Sequence, residues 1–211
     1  MKLKIFRNKF FYLVVGSLWA STLSAQKVVS KVFSLPPNTR LELAFPWTDQ
    51  ITYHGKEEQE TLQIIYKTSG EYQNKTFLSE QQKGATLLLK EAYVPLAQTP
   101  NDKLSAHKNI VSNVTLYAPS AVQVSIQAKE AQVNILGKLS ELALFLEDGL
   151  CLWEASLNKG KIETQDARVE VRTPAIAVSG TSQNGLVRIR PLANRPVQLE
   201  VHSINGAILQ P

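Results

Sequence analysis

The sequence predicts an all-β chain: an N-terminal β region followed by a single-stranded β-helix of about five rungs, with about 18 residues per rung. Three observations predict it. A repeat of about 18 residues runs from Asn113 towards the C-terminus. Within each repeat, apolar and less apolar residues alternate, the period-2 mark of a strand with one buried face. Turn dipeptides, Asp148-Gly149 and Asn184-Gly185, fall at the same place in the repeat. The plain alternative is an antiparallel β-sandwich whose hairpins recur about every nine residues.

Residues 1–25 read as a secretory signal peptide. Lys2, Lys4, Arg7 and Lys9 precede the apolar run 10–20, and a short stretch, 21–25, offers a cleavage point before Gln26. The run is too short to span a bilayer, and no later stretch reaches about 18 consecutive apolar residues, so no transmembrane segment is expected in the mature chain. Export bears on the charge. The 211-residue chain has 23 Lys and Arg against 18 Asp and Glu, and four of the basic residues lie in 1–25. The remainder carries 19 basic and 18 acidic residues, close to neutral. A nucleic-acid partner, which needs clustered positive charge, is therefore not expected. A hydrophobic fraction of 44% excludes a disordered chain, and a single Cys excludes a disulfide framework.

Residues 26–94 form the N-terminal β region. Arg40–Phe45 alternates Leu41, Leu43 and Phe45 with less apolar neighbours, and 51–54, 61–66 and 85–90 add further runs. The charge content of 57–67 suggests a helix, but Ile64, Ile65 and Tyr66 favour a strand. Residues 95–112, with two prolines and little periodicity, read as a connecting loop.

Residues 113–211 are the repeat and a C-terminal cap. The third position of each rung is Thr115, Val133, Cys151, Val169 and Val187; the fifth is Tyr117, Ile135, Trp153, Val171 and Ile189. These share one face and are expected to point inward, each stacking on its equivalent in the next rung. A second inward pair, Val124/Ile126, Leu142/Leu144 and Val178 with Gly180, weakens at Gly160 with Ile162 and fails at Pro196/Gln198. In-register stacking would align Glu154 with Arg172, Glu170 with Arg188 and Glu141 with Lys159, at the cost of opposing Arg172 to Arg190. Leu116, Ala118, Leu136 and Leu152 would form an outward apolar stripe, a candidate partner surface.

The pattern V-x-L-Y-x-P at 114–119, with V-x-I at 124–126 and V-x-I-x-G at 133–137, resembles exported bacterial adhesin-like proteins of the head GIN domain type. Residues 32–45 are similar to their opening strands. The resemblance covers about residues 30–210 and implies a small β-helix of the cell envelope; it brings no catalytic residues. Corners at Ala131 and Ala167 depart from the Gly- and Asp-rich corners usual there.

The chemistry-bearing residues give no enzyme signature. His54, His107 and His202 are scattered without metal-ligand spacing. Cys151 falls in an inward slot and reads as a buried small hydrophobe. Ser156 and Lys159 match S-x-x-K and 67–70 is a near K-T-G, but in reversed order and on extended chain. Residues 180–185 are one residue too long for G-x-S-x-G. Glu141, Glu147, Asp148 and Glu154 could serve a polysaccharide lyase or hydrolase only if they converge in one cleft. Arg168, Arg172, Arg188, Arg190 and Arg195 form a basic patch with Glu170 and Glu200 among them. Trp47 could be a sugar-stacking platform or the cap of a core. No residue is put forward as catalytic, cofactor-binding or metal-ligating, and no cofactor is expected. The expected function is that of an exported, non-enzymatic envelope or surface protein. Its partner is unknown, a surface protein or a glycan; a carbohydrate-active enzyme is the alternative.

Overall fold

The computed structural model describes residues 26–36, 38–70, 74–94, 111–190 and 195–210; the expected export segment and most of the expected connecting loop lie outside these. All regular structure among the described residues is β. In chain order the strands are β1 (Lys27–Ser34), β2 (Arg40–Phe45), β3 (Gln50–Lys56), β4 (Thr61–Ser69), β5 (Thr76–Lys83), β6 (Thr86–Tyr93) and β7 (Val111–Pro119). The long, bent β8 (Gln123–Thr164) follows, then β9 (Arg168–Val171), β10 (Val178–Ser182), β11 (Val187–Arg188), β12 (Leu199–Ser203) and β13 (Ile208–Leu209). They make one mixed sheet. Thr61–Ser69 is thus a strand, as Ile64, Ile65 and Tyr66 favour, and Val111 and Ser112 belong to β7 rather than to a loop.

The pairing is parallel wherever β8 takes part. β2 lies along 123–128, with Leu41 opposite Val124 and Leu43 opposite Ile126. β3 lies along 132–137, with Ile51 opposite Val133. β8 itself then meets β9, with Cys151 opposite Val169 and Trp153 opposite Val171. That register is the expected spacing of 18 residues. The same spacing recurs inside β8, where a Cβ placed on Gly149 (φ 113°) would stand 2.2 Å from the Ala131 carbonyl oxygen. Only glycine fits so close an approach at a positive φ. Antiparallel pairs are confined to the N-terminal strands: β1 with β4, β4 with β7, and β5 with β6.

Alternation explains which side chains go in. Along β8, Val133, Ile135, Cys151 and Trp153 are fully buried and belong to one core with Val124, Ile126, Leu142 and Leu144. Each such side chain contributes about 1.5–3 kcal/mol on burial. The inward reading of these residues therefore holds, and extends to Val169 and Val171 on β9.

Three expectations are corrected. In the first rung the inward residues are Val114, Leu116 and Ala118, buried to within 1% exposure, whereas Thr115 and Tyr117 face outward. The cause is β3, which inserts between β7 and β8: Ile51 faces Val114 on one side and Val133 on the other. With a strand between them, the two repeats need not keep phase, and a shift of one residue turns every side chain to the other face. The outward apolar stripe consequently does not exist, since Leu116 and Ala118 lie in the core and Leu136 and Leu152 are half-buried.

The third correction concerns the last rung. Val187 does not stack on Val169. β13 intervenes, with Ile208 opposite Val169 on one side and Val187 on the other. β12 likewise separates β8 from β10, with Val201 opposite Ile162 and Gly180. The C-terminal segment has the stronger apolar alternation, with Leu199, Val201 and Ile208 fully buried. Leu186 and Val187 stay exposed, so β10 and β11 end the stack. At its other end Lys31 of β1 reaches Glu80 of β5 at 2.8 Å.

Candidate ligand-facing groove

A glutamate in the run Leu87–Tyr93 sets up the most distinctive surface of the protein. Alternation along β6 sends Leu87, Leu89 and Glu91 to the same, inner side, and Glu91 is fully buried. A buried carboxyl group needs partners for both oxygens. One oxygen accepts from the Tyr66 hydroxyl at 2.6 Å and the Ser112 hydroxyl at 3.2 Å. The other accepts from the Trp47 backbone N–H at 3.0 Å and the Thr48 hydroxyl at 3.3 Å. With its one proton on Glu91, the Tyr66 oxygen accepts from the Thr76 hydroxyl at 3.2 Å, and burial together with Glu91 raises its pKa. The Ser112 hydroxyl shares its one proton between Glu91 and the Trp47 carbonyl, 3.0 Å away, while the Ser112 N–H donates to Asp49 Oδ2 at 2.7 Å.

This network holds both backbone polar groups of Trp47, in the turn between β2 and β3. The indole itself is left outside, 39% exposed, against Tyr93, which is 48% exposed. The ring centroids are 4.2 Å apart at an interplanar angle of 52°. Next to the pair runs an open groove of about 640 Å³, bordered by Asp49, Lys129, Glu130, Gln132 and Leu150. It crosses successive corners of the sheet, from the end of β6 over the β2–β3 turn to the bends of β8 at 129–131 and 149–150. Trp47 was legible in the sequence as a platform candidate. Tyr93 and Glu91 were not, because nothing local marks a strand end as the neighbour of another turn.

The other residues singled out in the sequence are dispersed. Glu141 borders Arg40 and Gln123; Asp148 accepts from the Gly149 N–H at 2.6 Å; Glu154 pairs with Arg172 at 3.1 Å. They do not share a cleft. Of the expected charge ladders only Glu154–Arg172 forms. Glu170 instead meets Arg168 at 2.6 Å and Arg172 at 3.1 Å, both near it on its own side of the sheet. Arg188 and Arg190 are separated from them by β13, so the arginines make no single patch. Arg195 bonds the Ala175 carbonyl at 2.9 Å.

His54 stacks on Tyr117 at 4.8 Å with Lys56 over the same ring; partial burial, then the Lys56 charge, lower its pKa. His202 lies 2.8 Å from the Thr181 hydroxyl and 4.0 Å from Glu200, an exposed set at an open depression of about 430 Å³ bordered also by Phe145 and Glu163. His107 lies outside the described residues. The Cys151 thiol is fully buried, and burial pushes its pKa up to about 12, so it lacks the thiolate a nucleophile needs. Among the described residues no group of three or more His, Cys, Asp or Glu could hold a metal ion. No helix among them is long and apolar enough to cross a membrane.

No protein-family model matches the chain, and no curated protein is significantly similar to it. The fold matches a solved structure described as a "putative cell adhesion protein" from Clostridium sporogenes, with TM-score 0.57 and 13% identity over 87% of this chain and 99% of that one. A "putative adhesin" from Bacteroides fragilis aligns over 89% of this chain and 99% of its own, at TM-score 0.34 and 10% identity, too loosely to argue from.

Proposed function

We propose that the chain is an exported, non-enzymatic protein of the cell envelope or surface that acts by binding, in the manner of an adhesin. Residues 113–211 are read as a β-helix of about 18 residues per rung following the N-terminal β region 26–94, and residues 1–25 as the export signal. The observation that carries the functional reading is the Trp47–Tyr93 pair. Two large aromatic rings stay exposed while the backbone beneath them is tied into a buried network. Exposed aromatics on a preorganised base are the usual anchors of binding surfaces. Three facts support the reading: the near-neutral charge of residues 26–211, the dispersal of Glu141, Asp148 and Glu154, and a fold shared with the protein described as a "putative cell adhesion protein".

The test has two arms. Fractionation of a bacterium expressing the chain should place the protein in the envelope or the medium, with a new N-terminus near Gln26. Beads coated with the protein should adhere to cells, and Trp47→Ala and Tyr93→Ala should each reduce adherence. Cytoplasmic retention of the intact chain, or adherence indifferent to both substitutions, would count against the proposal.

A further inference from the structure

We infer that the groove beside Trp47 and Tyr93 binds an uncharged oligosaccharide, with a pyranose ring stacked on the indole. The inference rests on the surface-binding reading and names the ligand class of that same groove. The first argument is electrostatic. Lys129 and Glu130 are adjacent and opposite in sign, and Asp49 Oδ2 already accepts the Ser112 N–H at 2.7 Å. The groove therefore offers no concentrated charge to recognise a phosphate, a sulfated glycan or an acidic peptide.

The second argument is shape. Neighbouring parallel strands are about 4.8 Å apart, so the steps from Tyr93 across the turn at Trp47 to the bends at 129–131 and 149–150 cover roughly 14 Å. An open trough of that length suits an extended chain of rings more than a compact metabolite, which a site normally encloses. The third argument is chemical. A sugar ring has a C–H face that packs on an aromatic ring and a rim of hydroxyl groups that seek donors and acceptors. The indole meets the first need; the side chains of Gln132, Lys129 and Glu130 border the groove where the second arises. A protein partner would need about 800 Å² of contact around an apolar centre. Here Asp49, Lys129, Glu130 and Gln132 interrupt the apolar border made by Pro46, Trp47, Tyr93 and Leu150, so no continuous apolar centre forms. Finally, the bonds to both backbone groups of Trp47 hold the platform before the ligand arrives, which reduces the ordering cost of binding.

The test uses the full chain in a Trp19→Phe background, so that only Trp47 and Trp153 emit. Trp153 is fully buried and reports the fold; Trp47 is exposed and reports the groove. An array of uncharged glycans, with sialylated and sulfated glycans printed beside them, is screened first. Binders such as cellotetraose or N-acetylchitotetraose are then titrated against acrylamide quenching of Trp47. The expected result is binding to at least one uncharged oligosaccharide and protection of Trp47. Trp47→Ala and Tyr93→Ala should each weaken binding on the array about ten-fold or more, with the emission of Trp153, the one fluorophore left in Trp47→Ala, unchanged there. Phe145→Ala, which removes a ring 38% exposed outside the groove, should leave binding intact. Binding to charged glycans alone, no glycan binding, or binding insensitive to Trp47→Ala overturns the inference. If coated beads still adhere to cells through Trp47 while no uncharged glycan binds or competes, the ligand class fails and the surface-binding reading survives. If uncharged glycans bind but coated beads do not adhere, the reverse holds.

Discussion

Replacing Glu91 tests whether the buried network is what holds the Trp47 turn. In Glu91→Ala four donors lose their acceptor. Ser112 still has the Trp47 carbonyl at 3.0 Å, Thr48 still has Ser112 at 3.3 Å, and Tyr66 still has Thr76 at 3.2 Å. The Trp47 N–H has no such second partner and is stranded, which costs about 1–3 kcal/mol by itself. The three weakened hydroxyl bonds and the space vacated by a fully buried side chain bring the expected loss to about 3–5 kcal/mol. That is a large part of the roughly 5–15 kcal/mol that stabilises a typical domain. Glu91→Gln keeps the volume. Its carbonyl oxygen can face Trp47 and Thr48, while its amide donates to Tyr66, whose hydroxyl then donates to Thr76. A loss of about 1–2 kcal/mol is expected. Urea unfolding followed by far-UV circular dichroism measures both. A loss below about 1 kcal/mol for the alanine variant, or equal losses for both variants, would show that Glu91 does not organise the turn.

Three further outcomes are expected. The Tyr53 hydroxyl is buried without a hydrogen-bonding partner among the described residues, so Tyr53→Phe should raise the urea midpoint, by about 1 kcal/mol in stability; a drop of similar size would refute this. Deleting residues 198–211 removes β12 and β13, which among the described residues are the strands paired to β10 and β11. Hydrogen exchange should show protection lost over 178–188 but kept over 40–45; retained protection at 178–182 would contradict the observed strand order. Cys151 should resist a thiol reagent at neutral pH until the protein unfolds. Its thiol pKa is raised from 9.0 to about 12 in the fold, so above pH 9 the unfolded chain holds fewer protons than the native one. Stability should therefore fall between about pH 9 and 12, with Tyr53 and Tyr66 adding in the same direction at the upper end. Denaturation midpoints at pH 7 and 10 check this, and Cys151→Ala should show a shallower decline.

The sequence by itself determined the class of structure and most of its core. Alternation is a local property, so the strands at 40–45, 61–66 and 85–90 and the inward residues from Val133 to Val171 could be read without knowing their neighbours. The Cys151 slot and the Glu154–Arg172 pair followed from the same spacing. What only the tertiary structure decided is which strand lies next to which. Ile51 separates Val114 from Val133, and Ile208 separates Val169 from Val187. Both insertions come from distant parts of the chain, and a repeat cannot encode a strand that interrupts it. The groove depends on the same non-local choices. Glu91 reads as an ordinary charged residue of a strand, and it becomes the support of Trp47 only where β6, the β2–β3 turn and β7 meet, because a buried carboxyl group there must collect its donors from all three.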